Sequence, residues 1–207
     1  MKSRIGTQIY ELLLKNNPNP KSELNFSNEL ECLIAVLLSA QCTDARVNVA
    51  TKKLFERYKC AKDYAQSSIE EISSYINSVN FYPTKAKNIF NLAKTLCEKF
   101  GGEVPSDLVS LTSLPGVGRK TAQVVLVEAF GIPAIPVDTH IFRVCNRLGL
   151  ANAKTVFETE EAIKNTFEKS QYINLHKALV LHGRYVCKAR NPKCESCVLK
   201  DLCERRI

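Results

Sequence analysis

The sequence predicts an all-α fold, and three observations carry that expectation. Apolar residues recur at helical spacing along almost the whole chain, with no convincing run of the strict alternation that a half-buried strand requires. Helix-starting residues and glycine stops punctuate those stretches at short intervals. No low-complexity linker and no internal repeat interrupts them, so any two domains must be closely associated helical lobes.

Each element has its own signal. Ser27 and Asn28 precede the apolar run Leu30–Leu38, and Glu31 completes a capping-box pattern with Asn28. Ser67 and Glu70 repeat that pattern before Ile72–Val79. Thr84 is placed to cap a helix over Lys85–Phe100, which Gly101 and Gly102 end. Ser106 opens a short helix toward Leu111. Arg119–Phe130 follows and stops at Gly131 and Pro133. Asp138 caps His140–Leu148, and Gly149 closes it. Glu158–Lys169 and Asn174–Cys187 fit two further helices, giving roughly ten in all. Gly131–Val137, with Pro133 and Pro136, is the expected crossing point between lobes.

Lys and Arg total 29 against 21 for Asp and Glu, a formal charge of +8 with a pI near 9.0. Such a surplus suits a polyanionic partner, nucleic acid first among them. The longest apolar stretch, Leu30–Leu38, is too short to span a membrane, and Met1–Tyr10 lacks a signal-type apolar region. A cytoplasmic protein is expected.

The segment Leu114-Pro115-Gly116-Val117-Gly118-Arg119-Lys120-Thr121-Ala122 lies between two helical stretches. Gly116 and Gly118 allow a tight turn whose backbone can approach a ligand closely. The helix that starts at once aims its free N–H groups and positive dipole end at the same place, which makes an anion site suited to a DNA phosphate. A Gly-x-Gly alone is weak; the whole string is far more specific.

Nine cysteines are present. Cys32, Cys42, Cys60, Cys97 and Cys145 are scattered, and with His176 they read as packing residues. Cys187, Cys194, Cys197 and Cys203 crowd together with the spacing C-x6-C-x2-C-x5-C. A secreted disulfide scaffold would spread its cysteines; one tight cluster reads as a metal site for zinc or a 4Fe–4S cubane.

The hairpin string resembles the hallmark of the helix–hairpin–helix DNA-repair glycosylases. Val137-Asp138-Thr139-His140, Leu38-Ser39-Ala40-Gln41, His182-Gly183-Arg184-Tyr185 and the terminal cysteines extend the resemblance over essentially the whole length. It is strongest to the bacterial endonuclease III branch. That implies two helical lobes with DNA in a cleft: a six-helix domain over 20–131 carrying the hairpin, and a second over 1–19 with 132–207 carrying one 4Fe–4S cluster on the 187–203 loop. It also implies a monomeric enzyme, bacterial, cytoplasmic and nucleoid-associated through DNA. The partner would be double-stranded DNA with oxidised or ring-saturated pyrimidines, of the thymine glycol type, or abasic sites.

The chemistry follows from the residue types. A glycosylase using water stops at an abasic site, whereas a lysine amine leaves a Schiff base whose electron sink permits β-elimination of the 3′ phosphate. Lys120 sits beside the phosphate site in the first turn of its helix. Only about 0.04% of an ordinary lysine is neutral at pH 7, so burial and the helix's positive end are expected to assist it. By resemblance, Asp138, 18 residues on, helps deprotonate the nucleophile and stabilises developing positive charge. His140 is expected to serve structure through hydrogen bonding. Gln41 resembles the family's residue that enters the base stack. Phe81 falls where an aliphatic wedge is expected. Lys188, Arg190 and Lys193 are expected to contact the DNA backbone, because from Leu181 onward seven basic residues face three acidic ones.

Two rival readings are open at this stage. A non-enzymatic hairpin module would need neither Lys120 nor Asp138. Adenine-removing relatives are monofunctional, lack a lysine at this position and carry an extra C-terminal domain, whereas this chain has Lys120 and ends four residues after Cys203.

Overall fold

The computed structural model describes residues 4–204. Among these residues are eleven α-helices, one short 3-10 segment and no strand. The helices are α1 (Arg4–Asn16), α2 (Glu29–Ser39), α3 (Asp44–Arg57), α4 (Ala61–Ala65), α5 (Ile69–Ile76), α6 (Tyr82–Lys99), α7 (Leu108–Thr112), α8 (Arg119–Ala129), α9 (Thr139–Leu148), α10 (Val156–Thr166) and α11 (Tyr172–Tyr185). The 3-10 turn is Lys169–Gln171. The chain divides into two compact units, Ser22–Gly131 and Met1–Lys21 with Ile132–Ile207.

The first unit holds α2–α8, two of which are only five residues long. Every residue of α2 from Cys32 to Leu38 is buried, which is why that stretch reads as a continuous apolar run. α2 packs on α3, α6 and α8, and Leu54, Ile72, Ile89, Leu92 and Val125 complete the core around it. Each such side chain contributes roughly 1.5–3 kcal/mol by leaving water. The second unit has a separate core of Ile9, Leu13, Ile141, Val144, Ile163, Leu175 and Leu179. α9 and α11 cross closely there. A Cβ on Gly183 would come within 2.7 Å of the His140 Cβ, which accounts for the glycine in the His182–Tyr185 string.

Several helix starts differ from the sequence expectation, each for a local reason. Asn28 caps α2 by accepting from the Glu31 N–H at 2.9 Å, as the pattern suggested. The α5 cap, however, is Ser68, accepting from Glu71 N–H, because the Ser67 hydroxyl is taken by Tyr58 and Glu71. α6 begins at Tyr82 rather than after Thr84: Phe81 turns the chain in a left-handed conformation, and Pro83 fits the first turn, where its missing N–H leaves nothing unmet. α7 is capped by Asp107 instead of Ser106. α10 starts earlier than Glu158, on a Thr155 cap that accepts from Glu158 N–H at 3.2 Å. Asp138 does cap α9, and Gly149 ends it with φ of 82°.

Candidate active site and cluster loop

The hairpin is held by its apolar residues and opened by its glycines. Leu114 and Val117 are buried and joined by a Val117 N–H to Leu114 carbonyl bond of 3.1 Å, which closes the turn. Gly116 has φ of +77°, and a Cβ there would lie 2.7–2.9 Å from the Asn88 side chain. Gly118 is different. Its φ is −84°, and a Cβ there would meet nothing within 4 Å. Gly118 caps α8 without a side-chain hydrogen bond, so the first N–H groups of that helix keep an open approach.

The two glycines therefore have separable roles. Gly116→Ala should cost about 1–3 kcal/mol from left-handed strain plus overlap with Asn88, lowering the unfolding midpoint by roughly 2–10 °C. Gly118→Ala should leave that midpoint nearly unchanged. Equal losses in the two variants, measured by thermal denaturation, would overturn the distinction.

Lys120 stands in the first turn of α8 with its side chain exposed. The expected burial of Lys120 is thus corrected: the first turn of α8 holds it at the surface. Asp138 is half-buried at the head of α9, its Oδ1 accepting from Ile141 N–H at 2.8 Å. Its charge and complete burial together push the Cys145 thiol up to about 12, burial being the larger cause, so Cys145 is an inert core residue. His140 hydrogen-bonds Arg143 through Nδ1 at 3.2 Å. Lys120 belongs to the first unit and Asp138 to the second.

Gln41 and Phe81 are brought together. Both are exposed and both have positive φ, 54° and 58°. Asn80, just before Phe81, donates from Nδ2 to the Gln41 carbonyl at 2.7 Å. Lys188, Arg190 and Lys193 are all exposed on the loop after α11. Arg205 and Arg206, which count toward the C-terminal basic surplus, lie outside the described residues.

No disulfide joins any of the nine cysteines. Cys187, Cys194, Cys197 and Cys203 line one pocket, whose remaining wall is largely Val144, Leu148, Val186 and Pro192. Burial raises the pKa of Cys197, a hydrogen bond from the Leu199 backbone opposes it, and the nearness of the other three thiols adds a smaller upward push. The buried His182 lies with Nε2 3.6 Å from the Cys197 sulfur, and burial lowers its pKa to about 4. Arg147 points Nη1 at the Cys187 sulfur at 3.6 Å and donates to the Lys188 carbonyl at 2.7 Å. Arg143 donates Nε to the Cys187 carbonyl at 2.9 Å. These arginine contacts to the loop were invisible in the sequence, since each spans 40 residues or more.

Residues 34–169 match the family described as the HhH-GPD superfamily of base excision DNA repair proteins, and 187–203 match the iron–sulfur binding domain of endonuclease III. Endonuclease III of Escherichia coli (strain K12) is 49% identical over 95% of this chain and 93% of its own length. Endonuclease III of Rickettsia conorii is 45% identical over 99% and 97%. The chain belongs to the endonuclease III family. A trapped endonuclease III–DNA covalent intermediate superposes with a TM-score of 0.91, at 45% identity, covering 97% of this chain and 96% of that one.

As an endonuclease III family member the protein is a base excision repair enzyme, a DNA glycosylase and abasic-site lyase, and its cofactor is one 4Fe–4S cluster. The loop fits that group. A 4Fe–4S cluster would take four cysteine thiolates. Four thiols lining one pocket supply that donor set. Among the described residues, no helix is long and apolar enough to cross a membrane.

Proposed function

We propose that Lys120 removes oxidised or ring-saturated pyrimidines, of the thymine glycol type, from double-stranded DNA and then cuts the strand at the resulting abasic site. The observation that carries this is the exposed Lys120 amine in the first turn of a helix whose N-terminus is left open by Gly118. A phosphate held by those N–H groups would set the neighbouring sugar within reach of the amine.

The amine attacks C1′ of the extruded nucleotide, forming a C–N bond as the bond to the base breaks. Loss of the amine's extra proton and opening of the sugar's C1′–O4′ bond, with a proton going to O4′, convert this aminal into an iminium that acidifies C2′; loss of that proton expels the 3′ phosphate, and water then releases the lysine. Because Lys120 is exposed in the free protein, its desolvation must come from the bound duplex. Asp138 does general-base and electrostatic work while capping α9. Cys187, Cys194, Cys197 and Cys203 would hold the cluster, whose work is mainly structural, pinning the loop; the lyase step itself requires no redox chemistry. Lys188, Arg190 and Lys193 on that loop contact the backbone. The enzyme acts as a monomer on the bacterial nucleoid, in the cytoplasm.

Borohydride reduction during reaction with a duplex bearing one thymine glycol tests the reading. A covalent protein–DNA adduct supports it. Strand binding without any adduct would leave a monofunctional glycosylase or a plain binding module.

Asp138→Asn separates the capping role from the catalytic one. Asparagine caps a helix about as well as aspartate, so thermal stability should hold, while base removal should fall by about 10²- to 10⁴-fold. An unchanged single-turnover rate would reduce Asp138 to a cap.

A further inference from the structure

Gln41 and Phe81 are exposed, left-handed residues that belong to different turns, one after α2 and one before α6. Left-handed backbone costs a non-glycine residue on the order of 1 kcal/mol, so each conformation persists only where its surroundings impose it. Two polar side chains impose it here. Lys85 is 6% exposed, in the first turn of α6, and its ammonium donates to the Leu38 carbonyl at 2.8 Å and the Ala40 carbonyl at 2.6 Å. Those carbonyls stand at the C-terminal end of α2, where no further helical N–H reaches them and where a cation suits the dipole. Asn80 uses both ends of its amide: Nδ2 donates to Gln41 O at 2.7 Å, and Oδ1 accepts from Arg46 Nη1 at 3.1 Å. Only one orientation of that amide satisfies both partners, so Arg46 fixes which way Asn80 points.

We infer that Asn80 and Lys85 are positioning residues, a clamp that holds the Gln41 and Phe81 turns at fixed separation so that both side chains enter the base stack together when a nucleotide is extruded. The inference rests on the reading of Gln41 and Phe81 as stack-filling residues. Neither Asn80 nor Lys85 need touch DNA. Burial lowers the Lys85 pKa, yet two carbonyl oxygens solvate its charge, which suits a rigid internal brace. Its role is preorganisation: with the turns already set, extrusion does not also have to order them.

The test compares two substrates under single-turnover conditions: a duplex with one thymine glycol, which must be opened, and a single strand with a preformed abasic site, which need not be. Asn80→Ala removes an exposed side chain and one net hydrogen bond to the Gln41 turn, so it should slow duplex excision by about five- to tenfold. Single-strand cleavage should change by less than about twofold. Lys85→Met should show the same split if it folds; Asn80→Ala carries the test if it does not. Gln41→Ala sets the scale, and adding Asn80→Ala to it should cost less than Asn80→Ala does alone, because only the placing of Phe81 is left to lose. A wild-type duplex rate in Asn80→Ala, beside a clear loss in Gln41→Ala, would overturn the clamp alone. Equal losses on both substrates would overturn it in favour of general destabilisation. An inert Gln41→Ala would overturn the stack-filling reading and the clamp with it.

Discussion

Replacing Lys120 by glutamine should abolish borohydride trapping and lower strand cleavage by at least ~10³-fold, while duplex binding stays within a few-fold of wild type. The asymmetry follows from where the residue stands. Its side chain is exposed and its helix begins at Gly118, so glutamine fits the same site and leaves the hairpin's own N–H groups free to hold phosphate. One cationic backbone contact of the many that a basic protein makes is lost, which changes affinity modestly and the salt slope by about one phosphate's worth. The covalent step has no substitute nucleophile, since an amide nitrogen does not form a Schiff base. Trapping persisting in Lys120→Gln would move the nucleophile elsewhere. Trapping and binding lost together would make Lys120 chiefly a phosphate contact.

The same residue shows where sequence reading succeeds and where it stops. The hairpin string is legible because each member answers a local need. Gly116 supplies positive φ beside Asn88, Gly118 keeps the helix start open, and Lys120 follows within one turn. The solvent exposure of Lys120 is not legible, because burial is set by neighbours distant in sequence. Helix starts slip where adjacent residues compete for one role, as Ser67 and Ser68 do, the outcome being decided by Tyr58 nine residues away. Thr155-x-x-Glu158 carries a capping-box signal that could have placed the start of α10. Lys85 also leaves a trace, a charge on the buried stripe of α6 with Ile89, Leu92 and Leu96. Its carbonyl partners, 45 and 47 residues away, leave none.

Cys194→Ser is expected to have the largest structural effect of any single substitution in the second unit. The loop after α11 has little regular structure of its own: a Lys193 N–H to Val186 carbonyl bond, a few turns from Cys194 to Cys203, and the arginine contacts from α9. Among the described residues, Leu199 is the one fully buried apolar side chain it contributes to the core. One buried leucine offsets only a small part of the backbone entropy of ordering such a loop, so the cluster bonds are expected to supply much of its order. Losing a thiolate ligand should therefore remove the absorption near about 400 nm and the bound iron together. Amide exchange should rise across residues 187–203 and spread to the end of α9, where the Cys203 sulfur lies 3.3 Å from the Arg147 carbonyl oxygen. Duplex affinity should weaken as well, because Lys188, Arg190 and Lys193 would no longer be held in place. Cys60→Ser, at an exposed position outside the pocket, should change none of these. Full iron content and an unaltered exchange pattern in Cys194→Ser would exclude Cys194 as a ligand; lost iron with the loop still protected would mean that the protein contacts of Arg143 and Arg147, rather than the cluster, hold the loop.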